Sequence, residues 1–235
     1  MVADQSANPP TGEAPVRRRD LAVARSLDSA RVRSEGRVQR FLDAGFELLS
    51  SAESGKEFTV QEVVDGSGQS LRSFYQYFAG KHELLLALFD EAIRSTAERL
   101  EDLVSQKSDP FERLHCFVVE YFRMCLPAPR GKTSKNNPTP VMAEFCHQLL
   151  TAHQAEAARA FVPLVSLLEG ILADAVGAGV VRPGVEHDED TGMILSTIMF
   201  NAAYGPTISG TERDATRGAE QMWAFVSSGI VISAK

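Results

Sequence analysis

The chain has 235 residues, of which 44% are hydrophobic and 23% charged, the proportions of an ordinary soluble globular protein with room for one large domain or two modest ones. Its net charge of −7 argues at first against a nucleic-acid partner. Residues 1–81, however, balance 11 Lys and Arg with 11 Asp and Glu, and the whole deficit falls in residues 82–235, with 13 against 20.

Residues 1–32 carry Pro9, Pro10, Gly12 and Pro15, then Arg17-Arg18-Arg19, Arg25 and Arg31, without apolar periodicity. They read as a disordered basic arm, either solvated or touching DNA phosphates. From Arg33 the pattern turns helical, with Val38, Phe41, Leu42, Gly45, Leu48 and Leu49 at the three-and-four spacing of an amphipathic helix. A polar break spans Ser50 to Lys56. Short helices are predicted from Thr59 and from Ser70, and a long one from Lys81 towards Leu103.

Pro110 opens a further helix that ends before Pro127, and residues 127–140 form a Pro- and Gly-containing loop. Helical patterns resume through Val141–His153 and Ala157–Ala178, then Asp188–Tyr204 and Arg213–Gly229, the last two separated by Gly205-Pro206. No strand and no internal repeat is visible, so the fold class is all-α. No apolar run approaches the ~18 residues of a membrane span, and the first residues lack a signal-like apolar stretch; a cytoplasmic protein without membrane contact is expected.

The segment from Phe58 to Lys81 carries the strongest local signals. Thr59 can cap the backbone of Glu62 while Glu62 reaches back to Thr59, a capping box, and Phe58 and Val63 are placed for a hydrophobic staple. Val63 and Val64 face inward. Gly66-Ser67-Gly68 turns the chain, and Ser70 is a good N-cap for the next helix. There Leu71, Phe74 and Phe78 share one face and are expected to be buried. The opposite face displays Arg72, Ser73 and Gln76, flanked by Tyr75 and Tyr77. Two short helices joined by a Gly turn, the second presenting such side chains, suit a major groove. Arg and Gln can read base edges, and Ser and Tyr hydroxyls favour phosphates. Lys81, in the first turn of a helix, opposes the macrodipole unless an anion binds there.

These residues resemble the signature of the TetR family of transcriptional regulators: Thr59-Val60-x-x-Val63-Val64-x-x-Ser67-Gly68-x-Ser70-x-x-Ser73-Phe74-Tyr75-x-Tyr77-Phe78-x-x-Lys81-x-x-Leu84-Leu85. The resemblance covers roughly residues 33–95. Val64 and Ser67 replace the family's usual alanines, and Gln69 replaces an apolar residue. The resemblance implies phosphate contacts from Thr59, Tyr75, Tyr77 and Lys81, and base contacts from around Gln61, Arg72 and Ser73. The division it suggests is a basic arm (1–32), a three-helix helix-turn-helix DNA-binding domain (33–80) and a larger helical effector-binding and dimerisation domain (81–235).

In the larger part, residues 193–204 are apolar almost all round, and the last helix carries Ala215, Ala219, Met222, Trp223, Phe225, Val226 and Ile230 as a broad stripe. Such a pair resembles the helices through which the family dimerises; a monomer core would need the same pattern. A pocket for a small lipophilic effector is expected among the helices of residues 84–178. Its candidate lining is Phe117, Tyr121, Phe122, Met142, Phe145 and Phe161, with His147 and Asn201 as polar contacts.

The chain carries only fragments of catalytic and metal-binding patterns. Gly131-Lys132-Thr133 lacks the earlier glycine of a phosphate loop, Glu144-x-x-His147 is a single half-motif, and His115, His147 and His153 share no ligand spacing with Cys116, Cys125 or Cys146. Neither cofactor, metal nor enzymatic activity is expected. The sequence reads as a homodimeric, ligand-responsive regulator, more a repressor than an activator, binding a palindromic operator. An all-helical enzyme or small-molecule carrier without DNA binding is the alternative.

Overall fold

In the computed structural model the described residues are 18–51, 58–126, 140–186, 188–210 and 214–232. Their regular elements are α1 (Arg18–Ser51), α2 (Val60–Ser67), α3 (Leu71–Tyr77), α4 (Lys81–Ser105), α5 (Pro110–Cys125), α6 (Pro140–Ala152), α7 (Gln154–Gly177), α8 (Asp188–Ser209) and α9 (Ala215–Ile230). The all-α expectation holds. Among the described residues, the extended pairing is confined to an isolated antiparallel bridge between Val181 and Val231. There Arg182 N–H donates to the Ile230 carbonyl at 2.8 Å and Ile232 N–H to the Val180 carbonyl at 2.9 Å, closing the end of α9 onto the loop after α7.

The chain divides into two compact units, residues 1–40 and 41–235. An unfolded arm through residue 32 is not what forms. α1 begins at Arg18, because from there to Glu35 the chain holds no Gly or Pro and is rich in Ala, Leu and Arg, all good helix formers. Arg31 and Glu35 add an i,i+4 ion pair at 3.6 Å. Residues 1–17 of the expected arm, most of the polar break after α1 and the loop at 127–139 lie outside the described residues.

In the second unit the main core joins five helices, α4, α5, α7, α8 and α9. α5 is central: Leu114, Phe117, Val118 and Phe122 are fully buried, and it packs on α4, α7, α8 and α9. α7 supplies Leu164, Leu168, Ile171 and Leu172. Contrary to the expectation from the sequence, α7 is long and apolar enough to cross a membrane by length and composition. Its buried residues, Leu164, Leu168, Ile171 and Leu172 among them, pack against α4, α5, α6 and α8.

The break predicted at Gly205-Pro206 is not a break. α8 runs through both to Ser209. Its buried stripe of Thr191, Ile194, Leu195, Ile198 and Ala202 continues onto a buried Gly205, and this packing outweighs the backbone hydrogen bond that Pro206 cannot make.

Candidate nucleic-acid interface

α2 starts as its sequence dictates. Thr59 adopts extended geometry, its side chain accepts from the Glu62 N–H at 3.2 Å, and Glu62 accepts from the Thr59 N–H at 2.7 Å, completing the capping box. The helix stops at Gly68, whose φ of 64° lies in the left-handed region that glycine enters without steric cost. α3 then starts with the Ser70 side chain accepting from the Ser73 N–H at 3.1 Å.

A three-ring aromatic cluster holds α3 in place. Phe41 of α1 meets Phe74 edge-on at 5.5 Å and Phe78 at 6.1 Å, while Phe74 and Phe78 lie 5.4 Å apart. All three are buried, as are Val63 and Val64. Edge-to-face pairs of this kind add roughly 0.5–1.5 kcal/mol each beyond the area they bury. Leu71 departs from its expected place: it is 42% exposed, because the first turn of so short a helix projects beyond the cluster.

The outer face of α3 shows Arg72, Tyr75 and Gln76, all exposed, with Tyr75 stacked edge-on against Phe74 at 5.4 Å. Thr59, Gln61 and Ser70 are exposed beside it, and the Gln61 amide donates to Asp65 at 2.8 Å. Tyr77 and Lys81 are half-buried at its edge. Lys81 Nζ sits 5.0 Å from the centre of the Phe58 ring. The Ser73 Oγ, expected to face a base, is buried and has no hydrogen-bond partner among the described residues. A side chain that the sequence reading passed over also belongs here. The Glu83 carboxylate accepts from the Ala79 backbone N–H and so fixes the entry into α4; an acidic residue in a helix's first turn is the signal for it.

The residues proposed for an effector do not share one surface. Phe117, Tyr121 and Phe122 are buried in the main core. Met142 and Phe145 are buried on α6; Phe89 links Phe145 at 6.3 Å to Phe161 at 5.7 Å. His147 is exposed. Asn201 lines a groove of about 250 Å³ on α8 and α9 with Thr197, Gln221, Met222 and Phe225. Burial pushes the Cys125 thiol up to about 12, Cys146 adding to the rise and a hydrogen bond with Tyr121 opposing it. Burial likewise raises Cys146 to about 11.

The described helices therefore define an all-helical protein with a helix-turn-helix carried on a larger helical body. No protein-family model matches the chain. A fatty acid metabolism regulator protein of Bacillus subtilis (strain 168) is 23% identical over 163 residues, covering 69% of this chain and 79% of the relative. The Thermus thermophilus FadR structure, a TetR-family transcriptional repressor solved with lauroyl-CoA, superposes with a TM-score of 0.58 at 21% identity, over 84% of this chain and 97% of that one. A TetR-family transcription regulator from Marinobacter aquaeolei VT8 superposes at 0.57 and 18% identity, over 86% and 98%. The fold of this chain is that of the TetR-family regulators.

Proposed function

We propose that this chain is a homodimeric transcriptional regulator of the TetR type, acting in the cytoplasm as a repressor that binds a palindromic operator and leaves it when an acyl-CoA binds. The observation that carries the reading is the exposed polar face of α3, Arg72, Tyr75 and Gln76, backed by the sealed cluster of Phe41, Phe74 and Phe78. That arrangement holds a short helix rigidly while leaving base-reading and phosphate-binding groups unburied. Thr59, Gln61, Ser70, Tyr77 and Lys81 supply the surrounding contacts. Ser73 enters only if its hydroxyl turns out towards DNA.

The effector class rests on the similar proteins: a fatty acid metabolism regulator, and FadR with lauroyl-CoA. An acyl chain suits the apolar surroundings of Phe89, Phe145 and Phe161. The dimer rests on an uncovered apolar face: Phe200, Tyr204 and Ile208 of α8 and Phe225 of α9 are 43–72% exposed. An effector acts by binding one separation of the two reading heads better than the other.

Selecting genomic DNA fragments on the full-length chain, followed by gel retardation, tests the reading. Retardation should weaken steeply with salt and be lost on Arg72→Ala and Lys81→Ala together. Lauroyl-CoA or stearoyl-CoA should release the DNA, and at 100-fold its Kd should stabilise the protein by about 2.7 kcal/mol. Retardation that survives the double substitution sinks the DNA site. Acyl-CoA binding without any DNA retardation would favour the carrier.

A further inference from the structure

Two donor side chains at the start of α7 meet a third, distant in sequence, where α4 leaves the helix-turn-helix. His82 is the second residue of α4, His153 sits at the turn between α6 and α7, and Glu156 lies in the first turn of α7. Glu156 Oε2 is 3.5 Å from His82 Nε2 and 3.7 Å from His153 Nδ1, and all three donor atoms lie within 4.8 Å of one another. The two imidazole rings are 5.1 Å apart.

Both nitrogen–oxygen separations are longer than the roughly 2.7–3.2 Å of a good hydrogen bond. They fall instead close to the edge of a metal tetrahedron, since two ligands each about 2.05 Å from zinc stand about 3.3 Å apart. Glu156 Oε2 is buried and accepts no hydrogen bond among the described residues. A carboxylate oxygen withdrawn from water, accepting no hydrogen bond and facing two imidazole nitrogens, is an arrangement that a bound cation would complete.

The backbone keeps the donors in place. The Glu156 and Ala157 N–H groups both donate to the His153 carbonyl at 3.0 Å, and the His153 side chain does not cap α7, which leaves its ring turned to Glu156. Phe145 closes one side, its ring 5.6 Å from that of His82. The other side is open to water, with the His82 and His153 side chains 52% and 47% exposed. Asp90, farther along α4, has its carboxyl raised by burial, with Arg159 opposing and Glu156 adding to the rise. A second carboxylate thus feels the charge of Glu156, and Arg159 offsets part of their field.

We propose that His82, His153 and Glu156 bind a divalent first-row transition cation of the zinc class, with water completing the coordination. Two imidazoles and one carboxylate suit zinc, nickel, copper or cobalt and do not suit magnesium or calcium. The bound ion ties the first turn of α4, and with it Lys81, to the first turn of α7. The site stands independently of the DNA-binding reading.

Calorimetric titration of the full-length chain, tag-free and stripped of metal, with Zn²⁺ tests the site, and Co²⁺ absorption reports its geometry. One ion should bind per chain, with the visible bands of a low-coordinate cobalt–imidazole complex. His82→Asn, His153→Asn and Glu156→Gln should each weaken binding at least tenfold with helical circular dichroism unchanged. His115→Asn and Cys116→Ser should leave it as it was. Zn²⁺ should raise the melting temperature of the unsubstituted protein and not that of the His82→Asn/His153→Asn pair. Absence of binding, or binding indifferent to His82 and Glu156, overturns the proposal. DNA retardation retained in metal-blind variants would leave the DNA reading standing.

Discussion

Lys81 Nζ lies 5.0 Å from the centre of the Phe58 ring, so the residue that precedes α2 and the one that opens α4 meet across the helix-turn-helix. The ring is 95% buried in effect, at 5% exposure, and its face both anchors the two-helix unit and seats the ammonium. Phe58→Ala should therefore lower stability by about 3–5 kcal/mol through lost burial and the cavity left behind. Phe58→Leu, which keeps bulk and loses only the ring face, should cost less than about 1.5 kcal/mol. Urea unfolding of both variants checks the ordering; an unchanged midpoint for Phe58→Ala would contradict it.

The capping box is a second local device with a measurable weight. Thr59→Ala removes the acceptor for the Glu62 N–H and should destabilise by about 1 kcal/mol, whereas Thr59→Ser keeps the hydroxyl and should stay within a few tenths of the unsubstituted protein. Amide exchange in α2 separates this from a global effect. Val63 and Val64 should exchange faster in the alanine variant alone, and equal rates in both variants would mean that the tertiary contacts, rather than the cap, hold the helix.

Features set by neighbouring residues were legible in the sequence: the Thr59–Glu62 box, the Gly68 stop, the Ser70 cap and the spacing of Phe74 and Phe78. Features set by distant packing were not. Leu71 follows the apolar period of α3 yet projects past the cluster that should cover it, and Pro206 sits in a helix because the buried stripe of α8 continues through Gly205. The arginines before residue 32 resembled a disordered arm, although basic residues without Gly or Pro are also good helix formers, and α1 takes them from Arg18. For the effector, residue type alone could not separate Phe117, committed to the core, from the exposed His147. Within the cluster His153-x-x-Glu156 stands at a helical three-residue spacing in the sequence, but only the fold brings His82 on α4 to that pair at the start of α7.

The cysteines give a prediction of the opposite kind, a lack of reactivity. Burial raises Cys125 to about 12 and Cys146 to about 11, so both stay protonated well above the ordinary thiol range. The thiolate is the nucleophile, and native protein at pH 8 should therefore leave both thiols largely unmodified by iodoacetamide, with full modification in denaturant. The sign for stability follows from proton uptake. Above pH 9 an unfolded chain loses thiol protons that the folded chain retains, so stability should fall as pH rises from there. Rapid labelling of Cys125 in the folded protein, read by peptide mass spectrometry, would refute this.

The uncovered face of α8 and α9 predicts an oligomer that can be broken without unfolding the chain. Phe225 is 68% exposed and Phe200 56% exposed, with Phe200 lying against Tyr204 at 4.9 Å, so neither aromatic contributes much to the monomer's own core. An apolar patch of this kind is covered in solution when a second copy presents the same helices about a two-fold axis. Placing glutamates at both positions, Phe200→Glu with Phe225→Glu, sets four carboxylates against one another in the dimer and only hydrated ones in the monomer. Sedimentation should then change from a dimer to a monomer with near-native helical content. DNA retardation should fall at least tenfold, because a single reading head contacts only one half-site. If the unsubstituted protein already sediments as a monomer, or if the double variant remains a dimer, α8 and α9 are not the pairing surface.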